Sequence, residues 1–435
     1  MVVRSPLVLI PEHFGSLLFD RRSSRYLPFD AETTTLLRRS IHESFTALIE
    51  EVTGEQRAAR IDFVAYFEEL GMFRADGRLA AVELEASPPD DHLLGPLAVH
   101  LEIIAACNLR CTHCFAGPLP RKTELTLAEM DRLFAQLAAL GSFRLGLTGG
   151  EPLLRKDLLE ILDTATEHGL HPCLTTNGLL IDETLARELG KRELVWLNVS
   201  LEGANARSND RVRGLGTFTE VKRRLRLLAE HARFTLAFTL TADNVGEVEA
   251  CAELARELGA HTAVFRPLYP VGIARDRLEM MPSFAGYRAA LARLSDWRPE
   301  VADLHGVDPF SPQARHDTAA RTHQNLGCGA ANLVASVSAT GEVNPCSFLG
   351  SEFDGGNIRE RPFAEIWHAS HVFQRLRTSS GRACGEGFAG GCRARALAFN
   401  GDVDAADPWH DEWLQTQGGL APLANVHVER LERGQ

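Results

Sequence analysis

Cys107, Cys111 and Cys114 stand in a C-x3-C-x2-C run within ACNLRCTHCFAG. They offer three thiolates in one short loop. Such a loop can hold three irons of a cubic 4Fe–4S cluster, whose irons are normally each held by a cysteine. The fourth iron is then left open for a ligand. The other readings are a zinc site and buried structural thiols. A closed zinc site wants a fourth ligand and usually pairs its cysteines as C-x2-C. His113 lies inside the loop but would strain to ligate beside its neighbour Cys114, so the spacing favours a cluster.

Four more groups of residues with chemistry follow. In Gly149-Gly150-Glu151-Pro152, two glycines let a backbone approach a ligand without Cβ obstruction. Glu151 then offers a carboxylate to an ammonium group. Thr176 and Asn177, before Gly178, offer short polar groups of the kind that bind ribose hydroxyls. Ser200 and Glu202 sit close together. Arg213, in NDRVRG, can reach a ligand carboxylate as a forked cation. Any one of these reads as readily as a simple turn; their meaning depends on what brings them together.

The chain between them alternates strands and helices. Leu97–Ile104 reads as a strand leading into the cysteine loop. Thr126-x-x-Glu129 is a capping box, and Met130, Leu133, Phe134 and Leu137 form the apolar stripe of the helix it opens, ended by Gly141. Phe143–Leu147, Cys173–Thr176, Leu194–Leu201, Phe234–Thr241 and Thr262–Leu268 read as further strands. The helices between them are Lys156–His168, Glu183–Leu189, Thr219–Glu230 and Val245–Leu258. Six βα units in series imply a parallel sheet with right-handed crossovers. The expected fold is α/β, a partial, open (β/α)6 TIM-like barrel. In such barrels the site lies at the carboxyl ends of the strands. The cysteine loop, Gly149–Pro152, Thr175–Gly178 and Ser200–Glu202 follow four consecutive strands and so share one rim. Cys173 is expected to face packing and Cys251 to lie in a helix.

Composition sets bounds. The formal charge of −12 argues against nucleic acid as a main partner, which would normally need a basic face. No run of 18 apolar residues predicts a membrane span. The opening MVVRSPLVLIPEHFG carries an early acid and lacks a long apolar core, so no secretory signal is expected. The 9 cysteines are odd in number and unevenly spread, which does not look like a disulfide framework. A reducing cytoplasm is the expected location.

The residues together resemble the radical S-adenosylmethionine enzymes. Cys107, Cys111 and Cys114 match that family's cluster motif, and Gly149–Pro152 its motif for the methionyl amine. The resemblance implies that the open iron chelates the amino and carboxylate groups of S-adenosylmethionine. His113 takes the motif position that packs near the adenine, Thr176 and Asn177 fall in the ribose region, and Ser200 and Arg213 look like carboxylate contacts. One-electron cleavage of the sulfonium would yield a 5′-deoxyadenosyl radical that abstracts a substrate hydrogen.

Two further resemblances frame this one. Cys328, Gly341 and Cys346, then Gly355–Ile358, Phe363–Trp367, Cys384 and Cys392 look like a SPASM/Twitch extension. A full SPASM domain has seven cysteines and two clusters; the four here suffice for one auxiliary 4Fe–4S cluster. Cys384 is the member whose spacing departs from the pattern. If it does not ligate, that cluster keeps an open iron; zinc and free thiols are the bland readings. At the other end, PEHFGSLLFD, FDAETTTLL and FVAYFEELGMF resemble a PqqD-like recognition element, a small winged-helix module. Short strands at Leu7–Ile10 and Ser16–Asp20, a hairpin or turn over FDRRSSRYLPFD, and helices over Ala31–Glu51 and Ile61–Leu70 fit it; a structural cap on the barrel is the alternative. Pro88 and Pro89 mark the linker. The expected division is 1–90 recognition element, 91–305 barrel, 306–400 auxiliary-cluster domain and 401–435 tail.

These resemblances imply a maturase of a ribosomally made precursor peptide, its leader bound by the N-terminal module as an added strand, and most simply an oxidative cross-linking reaction. Flavodoxin or ferredoxin would supply electrons. Oxidative decarboxylation of a peptide or tetrapyrrole carboxylate is the alternative. A non-catalytic iron–sulfur redox or binding protein is a different class, against which the complete cofactor constellation argues. No catalytic acid or base stands out, although Glu202, Arg266 and Tyr269 lie near strand ends.

Overall fold

Leu7–Glu12 is buried along its whole length, as a strand covered on both faces must be. This strand, β1, pairs antiparallel with β2 (Gly15–Asp20), which pairs with β3 (Arg25–Asp30). The short β4 (Ala81–Glu83) runs parallel along the other side of β1. Leu7, Leu9 and Leu18 pack beneath α1 (Ala31–His42) and α3 (Gly54–Glu69) through Leu37 and Phe67. Val8, Ile10, Leu17 and Phe19 belong instead to the main core. The computed structural model describes residues 5–115, 123–296, 303–306, 328–379, 391–409 and 412.

Several expectations shift here. The segment read as a hairpin or turn is a hairpin, and its second arm is the strand β3. The single helix over 31–51 is two, because Ser44 caps α2 (Phe45–Glu50) with a hydroxyl that accepts from the Ala47 N–H. The last helix of the module starts at Gly54, well before Ile61. The module is also not merely tethered. The Tyr26 hydroxyl donates to the Gly141 carbonyl (2.9 Å) and accepts from the Phe143 N–H (2.7 Å). Arg21 donates to the Gly169 carbonyl at 2.7 Å with its guanidinium over the Phe143 ring. The connecting segment is pinned too: Leu94 N–H donates to Glu12 at 3.0 Å, and the Trp367 indole N–H donates to the Leu93 carbonyl at 3.0 Å.

The central strands are β5 (Ala98–Ile104), β6 (Arg144–Gly149), β7 (His171–Thr176), β8 (Trp196–Leu201), β9 (Thr235–Leu240) and β10 (Thr262–Pro267). They lie side by side in chain order, every pair parallel. Apolar residues of one face, such as Leu101, Leu147, Leu174, Val199 and Phe238, are buried under the helices. The capping box at Thr126 is present and opens α4 (Leu127–Ala139), whose four stripe residues are all buried. The sheet continues past the six strands. β11 (Asp303–Gly306) pairs parallel with β10, and β12 (Val334–Val337) pairs parallel with β5. The open α/β barrel is therefore the observed fold, flanked on both edges.

The opposite face lines the lumen. His100, Gly146, Cys173 and Trp196 lie in one register row across β5 to β8. Cys173 was expected to face packing. The pleat decides otherwise: Pro172 and Leu174 are buried while Cys173 is only partly so, and burial among protein atoms pushes its thiol up to about 11. Cys251 is buried in α9 (Val248–Glu257), as expected.

Glu12 carries a thermodynamic consequence. Burial pushes its carboxyl up to about 8, against the lowering effect of the Leu94 N–H. The folded state therefore holds a proton that the unfolded chain releases near 4.5. Stability from this group is full below the lower value and lost as pH rises toward 8, by roughly 5 kcal/mol at most. Glu12→Gln should flatten the fall in melting temperature between pH 5 and pH 8, measured by scanning calorimetry.

Candidate functional site

The cysteine loop leaves β5 and is gripped at once by the end of β6. Gly150 N–H donates to the Ile104 carbonyl (2.8 Å) and Glu151 N–H to the Ala106 carbonyl (2.9 Å). A Cβ on Gly149 would lie 2.2 Å from the Ile104 oxygen, and one on Gly150 2.2 Å from that of Ala106. The two glycines thus make room for the cysteine loop itself, not directly for a ligand. The far side is held as well. Thr112 N–H donates to the Val212 carbonyl at 3.0 Å, and Ile273 N–H to the Cys114 carbonyl at 2.9 Å.

The three thiols share one electrostatic field. Burial raises the Cys111 pKa, Arg213 draws it down, and Glu202, Cys114 and Cys107 push it up. Among the described residues no three His, Cys, Asp or Glu side chains converge on a single ion. A cluster bound through separate irons does not require that they do. The donor set fits such a cluster.

Glu151 is buried and busy. It accepts from Leu153 N–H (2.9 Å), the Thr176 hydroxyl (2.6 Å) and Asn177 N–H (2.7 Å). These take three of about four acceptor positions on a carboxylate. Burial still raises its pKa. Asn177 donates from its amide to the Asn108 side chain at 2.8 Å. Thr176 and Asn177, expected at a ribose, thus also lace the third strand's loop to Glu151 and to the cysteine loop.

Glu202 is the residue whose weight the sequence did not reveal. It is 1% exposed and 2.6 Å from the Arg213 guanidinium. His113 Nε2 lies 3.3 Å from the same carboxylate, and Thr239 N–H donates to it at 3.1 Å. Burial alone would raise the Glu202 carboxyl, but His113 and Arg213 overcome it and hold it down at about 2. Arg213 is therefore not a waiting cation; Nε and one Nη already serve Glu202. Its charge also acts on Cys111 and Glu151. The buried His113 Nδ1 has no partner, an orphan polar atom inside the cysteine loop, as a bound cofactor would require. Ser200 lies half-buried on the lumen face, in register with Ala237.

A second thiol group forms near Tyr269, just past the end of β10. The Cys346 thiol is pushed up by burial and then by Cys328 and Cys392. Burial likewise pushes Cys392 up to about 11, with Arg395 opposing and Cys328 assisting. Cys328, Cys346 and Cys392 thus lie within electrostatic reach of one another; Cys384 lies outside the described residues. The support comes from a segment with no sequence reading. Cys392 N–H donates to Asp407 at 2.6 Å, and Asp407 pairs with the fully buried Arg395 at 2.6 Å. Arg395 stacks over Trp409 and, further off, Tyr269. Trp413 lies outside the described residues. No periodicity marks Asp407 and Trp409, so sequence alone had no handle on them.

Comparisons with known proteins accord with this geometry. The Radical SAM superfamily profile matches residues 101–264. The SPASM profile, an iron–sulfur cluster-binding domain, matches 328–392. The AdoMet-dependent heme synthase of Methanosarcina barkeri is 32% identical, covering 72% of this chain and 96% of that protein. The mycofactocin maturase MftC of Mycobacterium ulcerans is 31% identical, covering 77% of this chain and 92% of its own. Streptococcus suis SuiB bound to precursor peptide SuiA shares the fold, with a TM-score of 0.68 at 14% identity over 93% of this chain and 98% of that one. The chain belongs to the radical SAM superfamily and carries a C-terminal SPASM domain. It is a radical SAM enzyme that uses 4Fe–4S clusters and S-adenosylmethionine.

Glu202→Gln should loosen Arg213 and His113 together. Binding of S-adenosylmethionine to the reconstituted protein, followed by equilibrium dialysis, should weaken about tenfold or more, the usual worth of a hydrogen bond to a charged group. Its iron content should stay at the wild-type level.

Proposed function

We propose that this enzyme matures a ribosomally synthesised peptide by hydrogen abstraction, with oxidative cross-linking as its reaction. The observation that carries the reading is the N-terminal sheet. Its order is β3-β2-β1-β4, so among the described residues β3 is an edge strand to which an extended leader can add as a strand. That sheet is packed firmly on a radical SAM barrel. The MftC relative is named as a maturase and SuiB was solved with a precursor peptide, which supports the same reading. The proposed division is 1–90 recognition element, 91–305 barrel, 306–400 auxiliary-cluster domain and 401–435 tail.

The residue roles follow. Cys107, Cys111 and Cys114 would hold the cluster that binds S-adenosylmethionine, and Cys328, Cys346, Cys384 and Cys392 one auxiliary cluster. Reduced by one electron from a flavodoxin or ferredoxin, the bound pair supplies the 5′-deoxyadenosyl radical. The protein's part is placement. Gly149 and Gly150 seat the cysteine loop, and Glu151 keeps one acceptor position for the methionyl ammonium. Arg213 keeps an Nη for the carboxylate, with Ser200 beside the lumen. His113, Thr176 and Asn177 surround the nucleoside.

A second reading, oxidative decarboxylation of a peptide or tetrapyrrole carboxylate, is favoured by the heme synthase relative. Mass spectrometry separates the two. The protein, reductant, S-adenosylmethionine and the peptide encoded beside its gene should yield 5′-deoxyadenosine and a product lighter by two hydrogens. Loss of a carboxyl group instead establishes the second reading, and an unchanged peptide refutes both for that substrate. Hydrogen exchange at Arg25–Asp30 should slow when the peptide binds. Iron analysis should give about eight irons per chain, falling to about four in the C107A/C111A/C114A variant, and C384A should weaken or destabilise the auxiliary cluster's signal.

A further inference from the structure

Arg266 is a lumen cation that none of the assigned sites uses. It lies on β10 with its side chain exposed to the lumen. Its charge acts on His100 of β5, on Cys173 of β7 and on Tyr269. β5 and β10 are the first and last of the six central strands, so a charge felt at both projects across the barrel interior. No ion pair forms at Arg266 among the described residues, whereas buried Arg213 and Arg395 are matched by Glu202 and Asp407. In a chain of net charge −12, a guanidinium kept clear of carboxylates inside a chamber calls for a negative partner.

No carboxylate of the surrounding lining supplies one among the described residues, and Cys346 and Cys392, which act on Tyr269 as Arg266 does, are assigned to the auxiliary cluster. His100 is hydrogen-bonded to the Ser347 hydroxyl at 3.0 Å, and an imidazole offers no negative charge. The Cys173 thiol stays protonated for the reason given above. Thr175, Asn198 and Ser200 are uncharged, and Asn198 already donates to Thr175 at 3.3 Å. Glu102 faces the lumen from β5, but the groups acting on it are the Ala339 backbone, Asp354 and Glu342, not Arg266. The cofactor's own carboxylate has Arg213, whose charge acts on Cys111 and Glu151.

We propose that Arg266 anchors a carboxylate of the substrate within the lumen, and so selects the segment presented for hydrogen abstraction. The proposal rests on the maturase reading and deepens it by naming the substrate's chemistry. A guanidinium is a rigid fork matched to a carboxylate. The carboxylate is either a peptide C-terminus or an Asp or Glu side chain.

Affinity-selection mass spectrometry on the cluster-loaded enzyme with S-adenosylmethionine tests this. The probe is a mixture of tetrapeptides, each as free acid and C-terminal amide, with and without Asp or Glu, plus a tetracarboxylate porphyrin. Wild type should retain carboxylate-bearing members about tenfold over their neutral counterparts. Arg266→Gln should abolish that preference while keeping iron content and S-adenosylmethionine affinity, and Arg266→Lys should restore part of it. Enriched acids lacking Asp and Glu identify a C-terminus; enriched amides bearing them identify a side chain. Retention of the porphyrin alone, released by Arg266→Gln, overturns the peptide reading but upholds the anchor. Equal retention of charged and neutral members by wild type, an unchanged preference in Arg266→Gln, or a loss confined to S-adenosylmethionine binding overturns the proposal.

Discussion

The rim of this barrel depends on a backbone clasp. The cysteine loop has no regular structure of its own, and a loop's conformation must be held by something. Gly150 and Glu151 donate to Ile104 and Ala106 and extend the β5–β6 pairing past its last regular residue. The clasp works only because Gly149, at φ +132°, and Gly150 bring no Cβ between the two chains. Everything that positions the three thiols begins from that close approach.

Two buried carboxylates then organise the polar groups around the loop. Glu151 gathers the third strand's loop, through Thr176 and Asn177. Glu202 gathers Arg213, His113 and the β9 backbone. A buried charge is costly unless paired and hydrogen-bonded; Glu202 is both, while Glu151 is hydrogen-bonded and burial raises its pKa. The second thiol group is built differently, on Arg395, Asp407 and Trp409 packed into one buried stack.

Much of the fold was legible because its signals are local. The capping box at Thr126, the helix stripe behind it and the alternating strands depend on neighbours a few residues apart. The module at the N-terminus was less so. β3 reads as a turn-rich stretch because its partner β2 and the barrel residues beyond, not its own pattern, make it a strand. The face of Cys173 was misjudged because a four-residue strand estimate fixes no pleat; the register with Gly146 and Trp196 does.

The sequence by itself determined the chemistry available: three cysteines at one spacing, two glycines before Glu151, and further cysteines toward the end of the chain. Residue type and short spacing survive in one dimension. Only the tertiary structure decided which charges are already spent. Glu202, just past β8, and Arg213, the last residue of the helix Ala206–Arg213, are eleven residues apart and meet. Arg266 forms no ion pair among the described residues, because its place on β10 sets it on the lumen face with His100 and Cys173 as the groups its charge reaches. Pairing of charges is a matter of distance in space, and a sequence carries no record of it until the strands have set the register.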